Sequence, residues 1–308
     1  MVETLQVLLG QVIDYAGMYP PAKLPLSDAL RNYIKYKSGR EAWITSRFIC
    51  PVTKISELEA GLKWHSFSDR FGVCVTSRGG DTVAEFLAST LADTKSARKM
   101  DRIFFDAFET RLPADTLGSA ELGHVILRIT RSLEDETDLF LEVPFADNWQ
   151  VNVPRAIETL SKNPRCKAKI RTGGTEPAHF PSVEQVALFI SECAQHKIPF
   201  KATAGLHHPI RKLDDEVGVH MHGFLNVFVA AAIAHNFGAS PSELVHVLSI
   251  DDPSGFRCLG TRISVGNWHL SIKQLRAARN FALSYGSCSV TEPLTDLAHL
   301  GHSMRAFV

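Results

Sequence analysis

A chain of 308 residues with 45% hydrophobic and 21% charged side chains has ordinary globular composition and enough length to bury a large core. Lysine plus arginine equals aspartate plus glutamate at 33 each, so no global field draws a nucleic acid or an anionic membrane surface toward it. Six scattered cysteines with no C-x-x-C pair, and no secretory leader over Met1–Gly10, predict reduced thiols and a cytoplasmic protein, and the longest strongly apolar run, Phe224–Ala234, falls short of a membrane span.

Short apolar runs alternate with amphipathic segments along the chain. Strands are expected at Val7–Asp14, Trp43–Cys50, Phe71–Thr76, Arg102–Phe108, Asp138–Val143, Lys167–Arg171, Ile198–Thr203 and, as the weakest of the set, Arg262–Val265. Helical spacing marks Pro25–Lys37, Thr82–Leu91, Val153–Ser161, Ser182–His196, Phe224–Asn236 and Ile272–Tyr285. Val125–Ile129, within Leu112–Glu136, fits a strand or a helical turn. Ser182 offers an N-cap, and Gly238 ends the nearly all-apolar Phe224 helix. Strands alternating with helices require parallel crossovers, so the class is α/β. About eight such units predict a (β/α)₈ TIM barrel occupying residues 1–308 as a single domain. The G-x-G-x-x-G turn of a Rossmann sheet and the Walker A loop are both missing from the sequence.

In such a barrel the last residues of each strand face one shared mouth. Polar residues fall at these places: Asp14, Arg47, Arg78, Asp106, Glu142, Lys169, Arg171 and Lys201. Burying a lone ion is costly, so this many imply mutual pairing or a solvated polar pocket. A salt-bridged rim explains any one of them, but Asp106 and Glu142 sit inside very apolar runs where a rim is a poor explanation.

The sharpest pattern is a pair of strand endings, Ala168-Lys169-Ile170-Arg171-Thr172-Gly173-Gly174 and Phe200-Lys201-Ala202-Thr203-Ala204-Gly205. With a period of two, Lys169 shares a face with Arg171 and Lys201 with Thr203. Both runs aim a lysine inward and end in glycine, whose exposed N–H groups suit a phosphate or carboxylate. A neighbouring cation and desolvation lower an amine's pKa toward Schiff-base chemistry. These segments resemble the sixth and seventh strands of deoxyribose-phosphate aldolase, a class I aldolase barrel. The resemblance implies Lys169 as Schiff-base lysine, Lys201 as its activating neighbour and Asp106 as proton relay, with Gly173, Gly174 and Gly205 toward a phosphate. It spans about a dozen residues and departs from the family at Ile170, Arg171 and Ala204. Arg171 beside Lys169 also suits simple anion clamping.

Histidines offer a different reading. His207 and His208 follow the seventh strand and His222 precedes the apolar helix, with Asp214, Asp215 and Glu216 between them. Neutral imidazoles with a carboxylate would hold a divalent metal such as zinc, whereas the bland alternative is a polar loop whose histidines cap helices. Tyr15–Pro21 reads as a stiff connector or a wall of the mouth, Cys288 lacks a nearby base, and Asp251-Asp252-Pro253 reads as a turn.

The expected activity is that of a lyase or aldolase-type enzyme on a small anionic carbonyl compound, a phosphorylated one among the candidates, working without a cofactor. Lys169, Lys201, Asp106 and Glu142 would be catalytic, and Arg171, Gly173, Gly174, Gly205, Asp14 and Arg47 would bind substrate. A metal-dependent hydrolase or lyase using His207, His208 and His222 is the first alternative. A non-catalytic metabolite-binding barrel is the second. A homo-oligomer remains open.

Overall fold

A computed structural model describes residues 2–62, 71–97, 103–117 and 119–305. Eight parallel strands close on themselves: β1 (Ile13–Tyr15), β2 (Thr45–Pro51), β3 (Phe71–Thr76), β4 (Ile103–Arg111), β5 (Asp138–Glu142), β6 (Cys166–Arg171), β7 (Phe200–Thr203) and β8 (Ala282–Ser287). Each pairs with its neighbours in order, and β8 pairs with β1 to complete the ring. Helices cover the outside, making the predicted (β/α)₈ barrel. Arg102, the expected first residue of the fourth strand, lies outside the described residues.

The main core lies between strands and helices, where outward-facing Ile44, Phe48, Val73, Leu139, Leu141 and Phe200 meet helical aliphatics. The bore contains a much smaller apolar cluster of Ala16, Ile49, Cys74, Ala107 and Phe140. Barrel bores are ordinarily filled with branched aliphatics. Here most of the bore belongs to charged side chains, and that positions the site.

Two ends of the chain depart from expectation. Val7–Asp14 is not one strand, because Leu5, Leu8 and Leu9 are buried at helical spacing on a helix, Glu3–Leu9, and the strand begins only at Ile13. Arg262–Val265 is not the eighth barrel strand. It is the middle of an antiparallel sheet with Arg257–Cys258 and Trp268–Ser271, turned by the two-residue loop Gly266-Asn267. The eighth strand comes from what reads as the end of the Ile272 helix, which stops at Arg279. Val125–Ile129 is resolved as part of a helix, Leu122–Thr130.

Other local signals hold. Ser182 caps its helix in a reciprocal capping box with Gln185. Gly238 closes the buried helix Phe224–Phe237 in the left-handed conformation. Among the described residues no helix is long and apolar enough to cross a membrane.

The loops after β6 and β7 meet backbone to backbone. A Cβ placed on Gly173 would lie 2.7 Å from Gly205 Cα, and one placed on Gly205 would lie 2.8 Å from Gly173 Cα. Gly205 also has φ +74°, as Gly218 has φ +73° with nothing near its Cβ position. Alanine at either site incurs the left-handed penalty of about 1–2 kcal/mol, and only at Gly205 is there a clash as well. Thermal unfolding should therefore show a clearly larger loss for Gly205→Ala than for Gly218→Ala, and equal losses would contradict this packing.

Candidate active site

Lys169 and Lys201 are direct neighbours across β6 and β7, in register and both pointing into the bore. Lys201 has no exposed surface, and its ammonium donates to Asp14 on β1 and to Glu109 on β4. It also lies 5.4 Å from the centroid of the Phe140 ring. Lys169 sits closer to the mouth, with its Nζ 2.7 Å from Glu109 Oε2 and 3.2 Å from Glu142 Oε2. Glu109 thus spans the two ammoniums, one oxygen to each. Its Oε1 accepts a further hydrogen bond from the Cys74 thiol at 2.8 Å. Asp14 Oδ2 is held in turn by the Ser284 hydroxyl at 2.7 Å.

Burial alone would push every one of these groups toward its neutral form. The pairing prevails. For Glu109, Lys169 and Lys201 outweigh desolvation and hold the carboxyl well below the usual range. Lys201 and Arg47 do the same for Asp14, and Lys169 and Arg171 for Glu142. Desolvation likewise opposes the charge on both lysines, yet Glu109 and Glu142 raise Lys169, and Asp14 and Glu109 raise Lys201. The expectation that Lys201 depresses Lys169 is right in sign for that one interaction, but two carboxylates override it.

A cavity of about 430 Å³ opens above this cluster at the carboxyl ends of the strands. Lys169, Glu109, Glu142 and Arg171 contribute to its lining, whereas Lys201 lies beneath it. Gly174 and Gly205 lie on the rim, with Gly173 packed against Gly205. Tyr19 and the Pro20–Pro21 pair form a wall, so the stiff connector also shapes the mouth, and the Tyr19 hydroxyl hydrogen-bonds Thr76 across it. Gly286, Ser287 and Cys288 at the end of β8 complete the rim, a contribution that an eighth strand at Arg262–Val265 would not make.

Several expected site residues lie elsewhere. Asp106 is below the cavity toward the amino ends of the strands, where its Oδ2 accepts from Arg47 Nε at 2.8 Å. Burial raises its pKa against that pairing. Asp106 and Glu109 are three apart, which a regular strand would place on opposite faces. A register shift in β4, with Phe105 opposite Val73 and Ala107 opposite Cys74, inserts the extra residue that lets both point inward. The carboxylate nearest the lysines is therefore Glu109, which the sequence reading missed. Asp14 and Arg47 do not line the cavity either: Asp14 is the counter-ion of Lys201, and Arg47 joins Asp14 to Asp106. Arg78 pairs with Asp93 outside the bore.

The three histidines do not converge. His207 Nδ1 is 3.0 Å from Glu292 and lines the cavity, His208 pairs with Asp296, and His222 Nε2 donates to the Pro181 carbonyl. Among the described residues no group of three or more His, Cys, Asp or Glu side chains is arranged to hold a metal ion. The structure does not bring His207, His208 and His222, the residues of the zinc reading, to one point.

No protein family model matches the sequence, and no curated protein does. Among solved structures the chain weakly resembles a deoxyribose phosphate aldolase from Aeropyrum pernix, described as tetrameric. The identity is 11%, 97% of this chain and 98% of that one are covered, and the TM-score is 0.48.

The charge cluster makes a pH-dependent prediction. Asp14 and Glu109 have folded-state pKa values below their ordinary 3.8 and 4.5, so they stabilise the native state above those values and cease to do so as pH falls. In Lys201→Met the burial of Asp14 is no longer opposed by the ammonium, its folded pKa rises, and a penalty grows as pH climbs through 3.8. Urea unfolding should give a deficit of about 3–5 kcal/mol at neutral pH, shrinking toward about pH 3. A deficit independent of pH would contradict the pairing.

Proposed function

We propose that this chain is a lyase of aldolase type that binds a small anionic carbonyl compound in the 430 Å³ cavity and bonds it to Lys169 as a Schiff base. The observation that carries this is the amine of Lys169 in the cavity lining, touching two carboxylates and flanked by a second, fully buried ammonium. An amine must lose its proton before it attacks a carbonyl carbon. Glu142 is close enough to take it, and the cavity separates that exchange from bulk water only in part.

In the reaction so drawn, Lys169 Nζ adds to the carbonyl carbon, and the carbinolamine loses its hydroxyl as water with the proton returned from Glu142. The resulting iminium draws the electrons of the adjacent carbon–carbon bond. The β-hydroxyl gives its proton to Glu142, one carbonyl fragment departs, and the enamine left on Lys169 is protonated and hydrolysed. Lys201 and Glu109 fix the charge beside Lys169 rather than touching substrate. The glycines of the rim and Arg171 suit the anionic group, since among the described residues three cations (Lys169, Arg111 and Arg171) line the cavity with two carboxylates (Glu109 and Glu142).

The raised pKa of Lys169 favours a second reading, in which the ammonium stays charged and polarises the carbonyl without a covalent bond. Borohydride trapping with small phosphorylated and carboxylated aldehydes and ketones, followed by peptide mapping, separates the two. The Schiff base predicts reduced adduct on Lys169, absent in Lys169→Met, accumulating faster as pH rises because more amine is neutral. No adduct on Lys169 with any of these compounds, at any pH where the protein is folded, would sink the covalent reading.

A further inference from the structure

A second cavity of about 410 Å³ opens beside the first, and the two share Arg111, Glu142, Arg171 and His179. Its walls come from the connections after β5 and β6, with Phe145 and Phe180 as the large apolar surfaces. The Trp149 ring meets Phe145 edge-on, with centroids 6.1 Å apart, and braces that wall.

Among the described residues Glu142 is the one acidic residue lining this second cavity, and it is already engaged by Lys169 and Arg171. Arg171 Nε takes Glu142 Oε1 at 3.1 Å, while its Nη1 reaches the Gly173 carbonyl only at 3.5 Å. Arg111 Nε is 3.9 Å from the same carboxylate oxygen, beyond hydrogen-bond distance, and its side chain is 67% exposed. Two guanidinium forks therefore border one space with most of their donors unpaired among the described residues, next to a wall of aromatic and proline surface. Such forks match the two oxygens of a carboxylate.

We propose that the second cavity binds the carboxylate of a small organic acid between Arg111 and Arg171, with an apolar, ring-sized body against Phe145 and Phe180. The site deepens the reading of the first cavity, on which it rests for its place in a reaction, by adding a carboxylate-bearing reactant beside Lys169. Binding itself does not depend on that reading.

Benzoate is the probe, titrated calorimetrically into the full chain. It forms no imine, so the result stands whether or not borohydride ever traps Lys169. Wild type should bind one benzoate, Arg111→Gln should weaken it roughly tenfold or more, and Arg111→Lys should recover part of the loss. Phe145→Ala, whose side chain is outside the lining of the first cavity, should weaken it as well. Benzyl alcohol, with the same body and no charge, should not compete. No benzoate binding, an affinity unchanged in Arg111→Gln, or displacement by inorganic phosphate of benzoate whose binding ignores Phe145→Ala would overturn the proposal.

Discussion

A carboxylate held between two buried ammoniums is the constraint from which the rest of this barrel follows. Glu109 touches Lys169 with one oxygen and Lys201 with the other, and Asp14 and Glu142 close the chain at its two ends. Removing these ions from water carries a penalty of several kcal/mol each. Only strands arranged in a ring bring β1, β4, β5, β6 and β7 close enough to meet that penalty by mutual contact. The cluster and the closed sheet therefore need one another, and the small apolar cluster beside it is what remains of an ordinary barrel bore.

The same chain of charges sets what the site can do. Lys201 is sealed below the cavity and serves as a fixed cation, whereas Lys169 reaches the mouth and is the amine a ligand meets. Both are driven toward the charged form by their carboxylates, so an imine on Lys169 requires a local proton acceptor, and Glu142 lies at that position. In the proposed reaction, Arg111 and Arg171 at the rim would meet the anionic group of the substrate.

Much of this was legible in the sequence. Period-two runs ending in glycine placed Lys169 and Lys201 side by side, because strand parity and adjacency in a barrel leave little freedom once both runs are strands. Gly173 and Gly205 were legible for the same reason, and their close approach explains why no larger residue stands there. Glu109 was not, since a single inserted residue in β4 reverses the parity that made Asp106 the natural choice. The eighth strand was hidden by coincidence of spacing: Ile272, Leu275 and Ala278 belong to a helix, and Phe281, Ala282 and Tyr285 continue its three-and-four rhythm into a strand. The histidines suggested a metal from proximity in sequence, while in space each turns to a different partner.

The most direct measurement of the central claim is the protonation of the two lysines, read by nitrogen-15 NMR of the side-chain ammoniums and assigned with Lys169→Met and Lys201→Met. Both nitrogens should still be charged at pH 10.5, the ordinary lysine value, with signals slowed in exchange by burial. Either amine titrating to its neutral form near pH 8 or below would mean that Glu109 does not bind the two together.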